Sequence, residues 1–90
     1  SLRPEDKFDL IYVDGSHHAD DVLVDAIRGF EQLKVGGVMI LDDYLWRYYS
    51  RSSENPATAI NAFLRVVEGR YRLVLAYYQL AIEKTAERST

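Results

Sequence analysis

Phe8-Asp9-Leu10-Ile11-Tyr12-Val13-Asp14-Gly15-Ser16-His17 is the stretch whose reading decides the fold. Leu10 to Val13 are apolar without alternation, the pattern of a strand covered on both faces of a parallel sheet. The run stops at Asp14-Gly15, a pair that favours a turn. Val22, Leu23, Ala26, Ile27, Phe30 and Leu33 then recur at helical spacing, and Asp20 and Asp21 stand where negative charge favours a helix N-terminus. Gly36-Gly37 ends that unit. A second buried-strand run, Val38-Met39-Ile40-Leu41, stops at Asp42-Asp43. Strand, helix and strand fit within about 35 residues, the size of one right-handed βαβ crossover.

Working outward, residues 44–54 are aromatic, basic and serine-rich without a clean period, and read as a loop. Asn55-Pro56 then supplies an N-cap followed by a proline at the first helical position. Ala59, Ile60, Phe63, Leu64 and Val67 form one apolar stripe, a core face, and Gly69 can cap its end. Residues 71–84 are β-rich throughout and long for one strand. A hairpin turning near Tyr77-Tyr78-Gln79 accounts for the length; a single bent strand is the other solution, since no Gly, Asn or Asp marks the turn. Residues 86–90 read as a frayed tail. The predicted class is α/β: a partial doubly wound sheet of two parallel strands plus a C-terminal antiparallel hairpin, with two main helices, in one domain over residues 1–90.

Composition narrows the function. Ninety residues make a small domain of marginal stability, and 48% apolar content argues for a folded chain. A net charge of −3 gives no reason to expect nucleic acid or an anionic membrane as partner. The chain has no cysteine, hence no disulfide or thiolate metal site, which fits a reducing cytoplasm. No apolar run reaches the ~18–20 residues that cross a bilayer, and the N-terminus carries no signal-peptide pattern.

Both parallel strands end in aspartates. Ligands of open α/β sheets bind beyond the carboxyl ends of the strands, so Asp14 is expected beside Asp42 and Asp43. Carboxylates crowded on one rim repel unless a cation or proton intervenes, and a hard divalent ion such as Mg²⁺ suits oxygen ligands. The plainer alternative is that each aspartate caps a turn or helix. His17 and His18 lie in the same turn, where a histidine can move protons near neutral pH or simply cap the next helix. Tyr44, Trp46 and Arg47, with Tyr48, Tyr49 and Arg51, can wall a substrate pocket; Trp46 can equally fold over the core or join a subunit contact.

The segments 8–17 and 36–44, running from Phe8 to His17 and from Gly36-Gly37 through Asp42-Asp43-Tyr44, resemble strands four and five of class I S-adenosylmethionine-dependent methyltransferases. The likeness is greatest to metal-dependent O-methyltransferases of the macrocin-type, sugar-modifying group. That resemblance implies a divalent cation on Asp14, Asp42 and Asp43, and a proton-abstracting base at His17. Catechol-type relatives carry a lysine in the turn and an Asp-Asn pair after strand five, and this sequence departs from them at both points. The resemblance also implies S-adenosylmethionine as cofactor, a small-molecule hydroxyl as substrate, and an antiparallel pair over residues 71–84 closing the sheet. The family's glycine-rich loop has no counterpart in this sequence, so no cofactor-binding residue is assigned.

Three readings follow. The first is the substrate and metal half of an O-methyltransferase, inactive or nearly so by itself, since half a site cannot position two reactants. The second is a non-catalytic methyltransferase-like module that associates through the outer edge of its first strand and the aromatic loop of residues 44–54. That edge is expected bare and apolar, and should pair with a second copy as a dimer or with the rest of a larger protein. The third, a phosphoryl-transfer enzyme using the same aspartates, lacks a phosphate-cradling glycine loop.

Overall fold

The computed structural model describes residues 7–14, 19–42, 56–76 and 79–88. Six elements follow one another: β1 (Phe8–Val13), α1 (Ala19–Gln32), β2 (Leu33–Leu41), α2 (Pro56–Val66), β3 (Tyr71–Ala76) and β4 (Leu80–Lys84). The four strands form one sheet in the order β1-β2-β4-β3. β1 and β2 are parallel, while β4 runs antiparallel to both β2 and β3. The predicted α/β class is therefore met, and the hairpin is the correct solution for residues 71–84. Asn55, the expected N-cap of α2, lies outside the described residues, as do Tyr77 and Tyr78 of the hairpin turn.

β2 starts earlier than expected. The sequence places Leu33 on the helix stripe and begins the strand at Val38, whereas the helix stops at Gln32 and the strand takes in both glycines. Two features accommodate the glycines. Gly36 sits at φ +90°, a conformation L side chains rarely adopt, and a Cβ on Gly37 would lie 2.9 Å from the carbonyl oxygen of Asp9. The pairing of β1 with β2 shifts register over this stretch, from Phe8↔Leu33 to Leu10↔Val38.

The core lies on one face of the sheet. Val13, Met39, Leu41, Leu80 and Ile82 alternate onto that face and are buried against Val22, Ala26 and Phe30 of α1 and Ile60 and Phe63 of α2. Phe30 and Phe63 meet edge-on with ring centroids 5.7 Å apart, joining the two helices. Gly29 lets α1 approach the sheet closely, since a Cβ there would lie 3.1 Å from both Ile11 and Met39. The opposite face differs from the expected two-sided cover. Phe8, Leu10 and Tyr12 alternate along β1 on that face and are 51, 59 and 54% exposed. No described helix covers them, and β1 is an edge strand among the described residues.

The C-terminal end of α1 carries no basic residue of its own in the last turn. Lys84 supplies the charge from β4: its ammonium, 1% exposed, donates to the carbonyls of Phe30 at 2.8 Å and Leu33 at 2.9 Å. The Phe30 carbonyl is among those a helix leaves without intrahelical partners, Leu33 follows directly after the helix, and a cation there also suits the helix dipole. Glu87 then bridges Lys84 and Lys7, at 2.7 Å to each ammonium.

Candidate active site

The parallel register ends with Val13 opposite Leu41. One residue on, the backbone N–H of Asp42 donates to the carbonyl of Val13 at 3.0 Å, so the ladder continues to the rim. Asp14 and Asp42 thus leave adjacent strand ends, which are about 4.8 Å apart in a sheet. Asp14 is exposed and Asp42 half-buried. The juxtaposition expected for these two aspartates is present. Asp43, His17, Tyr44, Trp46 and Arg47 lie outside the described residues, as does His18.

Tyr12 adds a group that sequence reading missed. Its hydroxyl donates to Oδ2 of Asp42. The pairing of Tyr12 with Ile40 explains this, because Asp42 is two residues beyond Ile40 and therefore on the same side of the sheet. The signal was legible in principle: Tyr12 stands two residues before Asp14, and Ile40 two before Asp42. It was absorbed into an apolar strand reading.

Two carboxylates and a phenol at the mouth of two parallel strands form an oxygen-rich corner open to solvent. The donor set suits a hard divalent cation as far as it goes, since carboxylate oxygens are the preferred ligands of such ions. Among the described residues, no group of three or more metal-ligating side chains gathers anywhere. A third ligand from Asp43 falls where the structure is not described.

Residues 1–44 match the model of a methyltransferase domain family. The match covers the β1–α1–β2 unit and ends just past the Asp42-Asp43 pair, so it embraces both rim aspartates. A search of curated proteins finds no significant relative. Among solved structures, a Clostridium thermocellum protein assigned as an rRNA-methylase superposes with a TM-score of 0.65 at 15% identity. The alignment takes in 91% of this chain and 50% of that one. At that identity the likeness establishes the fold: the sheet and its two helices are those of half a methyltransferase-like domain. The chain thus spans half the length of the structure it matches. The family match over residues 1–44 and the superposition agree on a methyltransferase-type fold for this chain. No described helix is long and apolar enough to cross a membrane.

Proposed function

We propose that this chain forms the substrate and metal side of an S-adenosylmethionine-dependent O-methyltransferase that modifies a hydroxyl of a small molecule. The observation that carries the proposal is that Asp14 and Asp42 leave the carboxyl ends of adjacent parallel strands side by side, inside the segment that matches the methyltransferase domain. Asp14, Asp42 and Asp43 would hold a divalent cation, which, when bound, lowers the pKa of a coordinated hydroxyl and fixes its orientation. His17 takes the hydroxyl proton on an imidazole nitrogen. S-adenosylmethionine, when bound, would supply an electrophilic methyl group for that oxygen. Tyr44, Trp46 and Arg47 would wall the substrate, and Tyr12 orients the Asp42 carboxylate through its hydroxyl.

This reading makes catalysis a property of a complete two-sided site, because positioning both reactants needs both halves. In the full-length protein, Asp42→Ala should abolish any dependence of methyl transfer on Mg²⁺ or Mn²⁺. Unchanged metal dependence in that variant would end the proposal. A calorimetric titration of the 90 residues alone with S-adenosylmethionine should give no binding heat.

A second reading, a non-catalytic association module, draws on the exposed Phe8, Leu10 and Tyr12 of edge strand β1. It predicts that replacing Asp14, Asp42 and Asp43 leaves the protein's function intact. Assaying the Asp42→Ala variant for both methyl transfer and assembly therefore separates the two.

A further inference from the structure

One cavity lies at the other end of the sheet from the aspartates. It has a volume of about 460 Å³ and opens where Lys7 precedes β1 and Lys84 ends β4. The seven-residue span from Lys7 to Asp14 places it roughly 20 Å from the rim.

The floor is fixed by bonds already made. Lys84 spends its three N–H donors on the carbonyls of Phe30 and Leu33 and the carboxylate of Glu87. Lys7 is held by the same Glu87. The guanidinium groups on the wall are differently placed. Arg28 and Arg88 enter no ion pair among the described residues, and both are exposed. Arg70 donates to the carbonyl of Val66 and otherwise lies over the Phe30 ring, 5.6 Å from its centroid. Counting Glu31, five cationic side chains face two carboxylates in a protein whose net charge is −3. Such a concentration of one sign in a concave wall focuses the field on an anion.

A second cavity of about 200 Å³ adjoins the first through Phe30, Glu31, Arg70 and Arg88. Its remaining lining includes Ile27, Val66 and Val67. The pair therefore offers a guanidinium-lined mouth and an apolar annexe, the combination expected of a small-molecule site.

We propose that these joined cavities bind an organic phosphate monoester. The phosphate sits among Arg28, Arg70 and Arg88, whose planar forks match its oxygens. An aromatic or aliphatic arm lies against Ile27 and the 53% exposed Val66. The inference is independent of the methyltransferase reading, because none of these residues belongs to the rim.

Phenyl phosphate is the probe, titrated calorimetrically at low salt into the full-length protein, with inorganic phosphate as the head group alone. Binding of phenyl phosphate should weaken by about tenfold or more in the Arg28→Gln/Arg88→Gln double variant, without change in the melting temperature. Both side chains are exposed, so the variant keeps its fold. Val66→Asp, at a position 53% exposed, should weaken phenyl phosphate more than inorganic phosphate. No binding heat with wild-type protein overturns the proposal. So does undiminished binding by the double variant, or inorganic phosphate binding as tightly as the ester.

Discussion

The backbone N–H of Asp42 donates to the carbonyl of Val13 at 3.0 Å, one residue past the last paired position of β1 and β2. This bond carries the parallel register to the rim and sets Asp14 and Asp42 abreast. Tyr12 then fixes one oxygen of Asp42. Groups that orient a metal-ligating carboxylate are commonly worth 10–100-fold in affinity. Tyr12→Phe should therefore weaken Mn²⁺ binding to the full-length protein by about tenfold, while the exposed ring position keeps the fold. A titration followed by electron paramagnetic resonance of free Mn²⁺ reads this directly. Unaltered affinity would separate Tyr12 from the site.

Lys84 predicts a stability effect far from the rim. Lys84→Met keeps the aliphatic stem but leaves the carbonyls of Phe30 and Leu33 without their buried donor. Leaving a buried carbonyl without its donor costs about 1–3 kcal/mol, a large share of the stability of a small domain. Lys7→Met, which removes only a partner of the half-exposed Glu87, should cost less than about 1 kcal/mol. Urea unfolding of the two variants makes the comparison. Equal losses would mean that Lys84 acts only through Glu87.

Glu87 gives a pH signature. The hydrogen bond from Lys7, then that from Lys84, holds its carboxyl below the ordinary value of 4.5. A depressed folded-state pKa adds stability that is fully present above the unfolded value and is lost as pH falls through the folded one. The difference in stability between wild type and Glu87→Gln should accordingly be constant near neutrality. It should shrink only below about pH 4.5. The carboxylate is half exposed, so added salt should reduce the difference at neutral pH. A difference that persists unchanged at acid pH would contradict this.

The two glycines of β2 are constrained for different reasons. At Gly37 a Cβ would lie 2.9 Å from the Asp9 carbonyl oxygen and 2.8 Å from Cδ1 of buried Leu33. Gly37→Ala must push β1 and β2 apart, at a cost of about 1–3 kcal/mol. A Cβ at Gly36 meets nothing within 4 Å, so Gly36→Ala costs only the backbone strain of positive φ, about 1–2 kcal/mol. Chemical denaturation measures both. A different signature is expected in hydrogen exchange: Gly37→Ala should loosen amides of β1, and Gly36→Ala should not.

The exposed stripe on β1 predicts association. The isolated 90 residues should sediment as a concentration-dependent oligomer, because an apolar edge strand templates pairing. Leu10→Lys places a charge on that edge and should shift the distribution towards monomer. Wild-type protein that sediments as a stable monomer with a cooperative melt would remove the basis for the association reading.

The sequence disclosed the architecture because apolar runs and helical stripes are strong local signals. Val22, Ala26 and Phe30 are all buried, as their spacing predicts. The start of β2 was not legible, since Leu33 fits a helical stripe and a strand equally and is held in place by a lysine 51 residues away. Lys84 falls at the end of the β-rich stretch 71–84, with no role assigned from sequence. Leu80 and Ile82 share its face, and that alternation was the available hint of burial. Asp14 and Asp42 were legible because strand ends in parallel sheets fall together. Tyr12 was not, because its role depends on register.

Tyr12 stands on the open face of β1, yet its hydroxyl ends on a rim carboxylate. Any surface that covers Phe8, Leu10 and Tyr12 also strips water from that hydrogen bond and strengthens it. Assembly and rim chemistry are thereby linked through one phenol. If Asp42 holds a cation as proposed, a partner bound to the sheet would change its ligand strength, and by reciprocity an occupied rim would change how tightly the partner is held.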